Sequence, residues 1–177
     1  MKLVTSLAAL CVVAAAATAG QAFAGIENNQ SAANAAARCN GALPSFEGNL
    51  RKRPLAVINE GTATAFVTCA FEIDDEQAIN GADYYGAYFI NKGTAAATVT
   101  CTGVSGIETG AGGATVVMKS KSTVVPANGT AQAPLFFDSV TDYAGAAIYP
   151  LTAISCQLPP GVGVNDTYVG YQTNDAT

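Results

Sequence analysis

Apolar and polar residues alternate with a period of two along much of this chain, and the cleanest alternation occurs twice. Val57-Ile58-Asn59-Glu60-Gly61-Thr62-Ala63-Thr64-Ala65-Phe66-Val67-Thr68-Cys69 is followed 32 positions on by Phe89-Ile90-Asn91-Lys92-Gly93-Thr94-Ala95-Ala96-Ala97-Thr98-Val99-Thr100-Cys101, with nine of thirteen positions identical. Period-two alternation is the signature of a strand with one buried face. In the first copy Ala63, Ala65, Val67, Cys69, Phe71 and Ile73 share a face, while Thr62, Thr64, Thr68 and Glu72 take the other and Phe66 breaks the pattern. In the second copy Ala95, Ala97, Val99 and Cys101 face inward. Each copy reads as a strand, an Asn-x-Gly turn and a returning strand, that is, a hairpin whose glycine takes the left-handed conformation. A fainter echo, Ala127-Asn128-Gly129-Thr130, reads as a similar turn.

Further short β-rich runs bounded by Gly, Pro or Asn lie at 84–91, 114–120, 122–126, 145–149, 151–158 and 167–172. Eight to ten short strands without a convincing helix predict an all-β antiparallel sandwich, either jelly-roll or immunoglobulin-like. The chain has no tryptophan, which removes one hallmark of the immunoglobulin variant. Ile154, Cys156 and Leu158 share a face, so Cys156 also points inward. Two equivalent hairpins packed face to face put Cys69 opposite Cys101, which favours disulfides Cys69–Cys101 and Cys39–Cys156. Spacing alone does not choose among the three possible pairings.

The N-terminus follows another rule. Met1-Lys2, an apolar run over 3–17 and Ala22-Phe23-Ala24 fit a secretory signal peptide over 1–24. The expected mature chain is a flexible leader over 25–38, poor in groups to bury, and one domain over 39–177 tethered by Cys39. Cys11 leaves with the signal, and four cysteines remain. An even count in an exported chain predicts two disulfides and a periplasmic, cell-surface or extracellular location. Without Lys2 the chain carries 7 basic and 13 acidic side chains, a balance that repels phosphate backbones and argues against a nucleic-acid partner. No later run is long and apolar enough to span a bilayer.

Composition also narrows the chemistry. The chain has no histidine, so Ser-His-Asp and Cys-His catalysis and ordinary zinc sites are out of reach. Lys119 and Lys121 alternate on what reads as a solvated strand face. The densest acidic group, Glu72, Asp74, Asp75 and Glu76, has oxygen ligands suited to calcium, and Asp74, Asp75 and Glu76 are the candidate ligands. Asp138 and Asp142, in another loop, are candidates to share that ion. The same acidic group is the place to look for a carboxylate pair of the glycosidase kind. Tyr84 and Tyr85, beside this loop, are the candidate ligand-binding pair, because tyrosine rings can stack on sugar rings, and Tyr88, Tyr143, Tyr149, Tyr168 and Tyr171 are further available rings. Calcium is the one cofactor the sequence suggests.

At the C-terminal end, Ile154-Ser155-Cys156-Gln157-Leu158-Pro159-Pro160-Gly161, together with the earlier Ile-Asn-x-Gly-Thr and two Val-x-Cys elements, resembles a loose group of small exported proteins of Gram-negative bacteria. Those proteins have no assigned activity. The resemblance therefore implies a β-sandwich and an exported location, and it carries over no functional residue. The resulting expectation is a non-enzymatic secreted or envelope-associated protein with a binding or structural role. Its partner would be a glycan or protein at the cell surface. A carbohydrate-binding module, calcium-assisted or not, is the first alternative, and a hydrolase using carboxylates alone is the second.

Overall fold

The computed structural model describes residues 25–73, 78–107, 115–149 and 151–175. They form two antiparallel sheets packed face to face. One sheet runs β3 (Leu50–Arg53), β4 (Ala56–Asn59), β11 (Val162–Asp175), β6 (Ala78–Asn91) and β9 (Ala133–Asp138), with β1 (Gly25–Asn34) lying against the C-terminal part of β11. The other runs β2 (Cys39–Gly41), β5 (Ala65–Phe71), β10 (Thr152–Leu158), β7 (Ala97–Ile107) and β8 (Thr115–Val125). Pairing is nested: β4 with β11, β5 with β10, β6 with β9 and β7 with β8. A long two-stranded ribbon has thus been rolled up, and β11–β6 and β10–β7 pairing closes the roll. That is the jelly-roll arrangement, and it decides between the two sandwich topologies.

The core lies between the sheets and is supplied by the positions that alternation assigns to it. Ala65, Val67, Cys69 and Phe71 of β5 are buried, as are Val99 and Cys101 of β7 and Ile154, Cys156 and Leu158 of β10. Tyr85, Phe137 and Phe71 form its aromatic centre, with Tyr85 stacked on Phe137 at 5.4 Å between centroids.

The two repeat copies are not hairpins. Strand β4 belongs to one sheet and β5 to the other, and the same holds for β6 and β7, so each copy is a corner that carries the chain from sheet to sheet. Each corner is plugged by a buried asparagine. Asn59 Oδ1 accepts from Gly61 N at 3.0 Å, while its Nδ2 donates to Ala63 O at 2.9 Å and to Leu158 O at 2.8 Å. Asn91 repeats this with Gly93 N, Ala95 O and Val125 O. A buried amide must satisfy its donors and acceptor internally, and here it does so by capping backbone groups that the corner leaves without ladder partners. Neither Gly61 nor Gly93 has a positive φ. Glycine is required there by close approach: a Cβ on Gly61 would lie 2.6 Å from Asn49 Cγ, and one on Gly93 would lie 2.9 Å from Asn91 Oδ1. The Pro-Pro-Gly turn joins the two corners, since Gly161, at φ +80, donates to Asn59 O and accepts from Lys92 N, each at 2.8 Å.

The disulfides are Cys39–Cys69 and Cys101–Cys156, in place of the expected Cys69–Cys101 and Cys39–Cys156. All four cysteines point inward and are buried. Both bonds join directly opposed residues of neighbouring strands in one sheet, Cys39 against Cys69 and Cys101 against Cys156. Because β10 lies between β5 and β7, with Cys69 opposite Ile154 and Cys101 opposite Cys156, Cys69 and Cys101 are separated by at least two strand spacings, about 9.5 Å, beyond the reach of a disulfide.

The expected flexible leader is also corrected. Residues 25–34 form β1, paired in continuous register with residues 166–175, and 35–38 form a helical turn capped by Asn34. No side chain of residues 26–34 is buried. The strand is held by its ladder and by contacts such as Asn29 Nδ2 to Thr173 Oγ1 at 2.7 Å, and that kind of attachment leaves no apolar alternation in the sequence.

Candidate functional site

The outer face of the β1-bearing sheet carries an aromatic surface, and β6 is its spine. Alternate side chains of a strand face opposite ways, so Tyr85, Ala87 and Phe89 enter the core while Tyr84, Gly86 and Tyr88 face outward. Gly86 is opposed by Tyr168 on β11 and by Phe136 on β9. With no side chain at its centre, the surface lets the flanking rings close in. Tyr88 meets Phe136 and Tyr168 edge to face at 5.4 Å each, and Tyr84 meets Phe136 at 5.7 Å. A Cβ built on Gly170, the next outward position of β11, would stand 2.5 Å from Tyr84 Cζ. The Tyr84 ring therefore lies across the β11 backbone, and its hydroxyl accepts from Gln30 Nε2 at 2.8 Å.

These four rings line a groove of about 720 Å³ with Gln30, Gln132 and Asp138. The rings are half-buried, and no described element covers them. An antiparallel sheet with one face on the core ordinarily turns polar residues to water on the other. Four aromatic rings on that outer face are a departure of the kind that marks a contact surface.

Acidic groups flank one end. Asp138 Oδ1 accepts from Val140 N and Thr141 N at 2.9 Å each, which fixes the carboxylate at the end of β9. Burial, aided by the charge of Asp138, raises the pKa of Asp83. Asp83, however, lines a separate small groove with Ser139 and Ala146. Asp142 is committed elsewhere: its Oδ2 accepts from Lys121 Nζ at 2.9 Å and from Asp138 N at 2.8 Å. Burial pushes its pKa up, but the Lys121 and Asp138 hydrogen bonds outweigh that and leave it lowered. Lys121 also donates to Phe136 O at 2.8 Å and so ties β8 to β9, where the sequence suggested a solvated lysine.

Of the residues singled out from the sequence, Tyr84 lies in the groove and Tyr85 does not. Tyr85 is fully buried, and its hydroxyl pairs with Tyr143 OH at 2.5 Å; burial, followed by that bond, raises its pKa. Asp74, Asp75 and Glu76 lie outside the described residues. Among the described residues no group of three or more Asp, Glu, Cys or His side chains is arranged to hold a metal. Tyr88 and Tyr168, among the further rings the sequence offered, also lie in the groove, whereas Tyr143 does not; Phe136, Gln30 and Gln132 were missed. The alternation of Tyr84, Gly86 and Tyr88 along one strand was a legible signal for Tyr88; nothing in the sequence places Phe136 or Tyr168 beside it.

No protein-family model and no curated protein matches this chain. Among solved structures, that of TmCBM61 in complex with β-1,4-galactotriose aligns with 82% of this chain and 88% of that chain, at 10% identity and a TM-score of 0.33. A likeness of that degree supports no inference about this protein's ligand.

Proposed function

We propose that this protein is a non-catalytic glycan-binding β-sandwich, and that the groove over Tyr84, Tyr88, Phe136 and Tyr168 receives the sugar. One observation carries the reading: four half-buried aromatic rings share the outer face of a sheet that should present polar side chains to water. A sugar ring has an apolar C–H face and a hydroxyl-bearing rim. The rings supply a surface for the first. The Gln30 and Gln132 amides and the Asp138 carboxylate, at the groove margin, supply donors and acceptors for the second. Neither a nucleophile with its base nor a facing pair of carboxylates is assembled among the groove's described residues, which favours binding over hydrolysis. Two disulfides fit an oxidising compartment outside the cytoplasm, and among the described residues no helix is long and apolar enough to cross a membrane.

Affinity electrophoresis through gels containing neutral plant, fungal and bacterial polysaccharides tests this directly. Retardation by at least one polysaccharide, reduced in Tyr88→Ala and Tyr168→Ala, is expected. Removing one ring should cost on the order of 1 kcal/mol, about fivefold in affinity. Unretarded migration in every gel, or retention undiminished by both substitutions, would sink the reading.

A further inference from the structure

We infer that the aromatic groove is one part of a longer track along β6, so that the ligand is an extended, uncharged glycan chain rather than a single terminal sugar. This rests on the glycan reading above. Outward positions of β6 continue past Tyr88 to Ile90, two residues on and about 7 Å further along the strand. Ile90 lines a second groove, of about 500 Å³, with Leu55, Ile58, Asn165 and Lys92. The two grooves therefore abut on one sheet face, and both are bordered by β6 and β11.

Their contact is shaped by a bulge in β11. Its register against β6 shifts between Val164 and Asp166, which leaves Asn165 without a paired residue and places it at the second groove. The second groove repeats the chemistry of the first with aliphatic groups in place of rings. Its floor is Ile58 and Ile90, Leu55 stands 73% exposed at its side, and Asn165 and Lys92 supply polar groups. An apolar floor with a polar margin suits successive sugar rings, each with an apolar face and hydroxyl edges. From Tyr84 to Ile90 the strand spans about 20 Å, enough for several rings in line. Charge argues for a neutral chain: among the described residues lining the two grooves, Asp138 and Lys92 are single charges of opposite sign and Arg53 is ion-paired with Glu60, so neither groove presents a like-charged run to a polyionic chain.

Titration calorimetry with cello-, manno-, laminari- and malto-oligosaccharides from disaccharide to hexasaccharide tests the track. For the series that binds, affinity should rise at least tenfold from the shortest to the longest member. Leu55→Asp and Ile90→Asp should abolish that gain and leave the disaccharide affinity within twofold of wild type. Leu55 is so exposed that its substitution leaves the fold intact, so its effect reports on the ligand alone. Affinity independent of length, or equal weakening of short and long ligands by Leu55→Asp, overturns the track and leaves the aromatic site standing. Absence of binding in every series overturns both.

Discussion

The Tyr84 ring packs directly against Gly170, which is buried. The pairing sets the height and tilt of one wall of the groove, because a side chain at position 170 and the ring cannot occupy the same space. Gly170→Ala should therefore displace Tyr84, break its hydrogen bond from Gln30 and weaken glycan binding about fivefold. The clash is with the far end of a side chain on the sheet's outer face rather than with backbone, so the urea midpoint should barely move. A double mutant distinguishes this from a general loss: adding Tyr84→Ala to Gly170→Ala should cost little more, since both act through the same ring.

Asn59→Ala should destabilise the protein by on the order of 3 kcal/mol, because it leaves Leu158 O, Ala63 O and Gly61 N without their partner at a buried corner. Asn91→Ala should cost less, since its bond to Val125 O is longer, at 3.3 Å. Urea unfolding of the two single mutants measures the order, and equal stability of Asn59→Ala and wild type would contradict the role given to the amide.

A non-reducing peptide map should recover Cys39 linked to Cys69 and Cys101 linked to Cys156. Replacing either pair by alanine should cost about 4 kcal/mol in the chain-entropy account. The loss should be about 0.5 kcal/mol larger for Cys101–Cys156, whose sequence separation is 55 against 30. Equilibrium unfolding of the two double mutants provides the comparison.

Asp83 and Asp142 should act on stability in opposite senses. Asp142 is held below its ordinary 3.8, so its stabilisation is present above that value and fades as pH falls through the lower folded-state pKa. Asp83 is raised above 3.8, so the folded state loses stability as pH climbs from 3.8 through the raised folded-state pKa, and the loss persists at neutrality. Thermal midpoints at pH 7 should therefore rise in Asp83→Asn and fall in Asp142→Asn. Below the lowered folded-state pKa of Asp142, where both carboxyls are protonated in either state, the differences should shrink.

The alternating pattern made much of the fold legible. It identified most strands from β4 onward, although it split β8 in two and expected a strand over 145–149 where the structure has only bridges at Ile148; it also identified the inward parity of Cys69, Cys101 and Cys156, and the equivalence of the two Asn-x-Gly segments. It failed at β1, whose ladder needs no buried side chains, and at the corners, where the same local signal serves a hairpin or a crossing between sheets. Of the candidate site, Tyr84, Tyr88 and Tyr168 were legible as available rings, but not which of the seven tyrosines share one face. Tyr85 was assigned beside Tyr84 because neighbours in sequence were treated as neighbours on a surface, whereas a strand sends them to opposite faces.

The sequence by itself determined which faces of which strands are apolar, which residues can turn a corner, and that four cysteines are available for pairing. These are local properties, set by side-chain chemistry over a few residues. Only the tertiary structure decided that β10 enters between β5 and β7, which assigns Cys156 to Cys101 and leaves Cys69 to Cys39. It alone brought Phe136 and Tyr168, from strands distant in sequence, to either side of Gly86. Strand order depends on how the whole ribbon rolls to bury its faces, and that free energy belongs to no single segment.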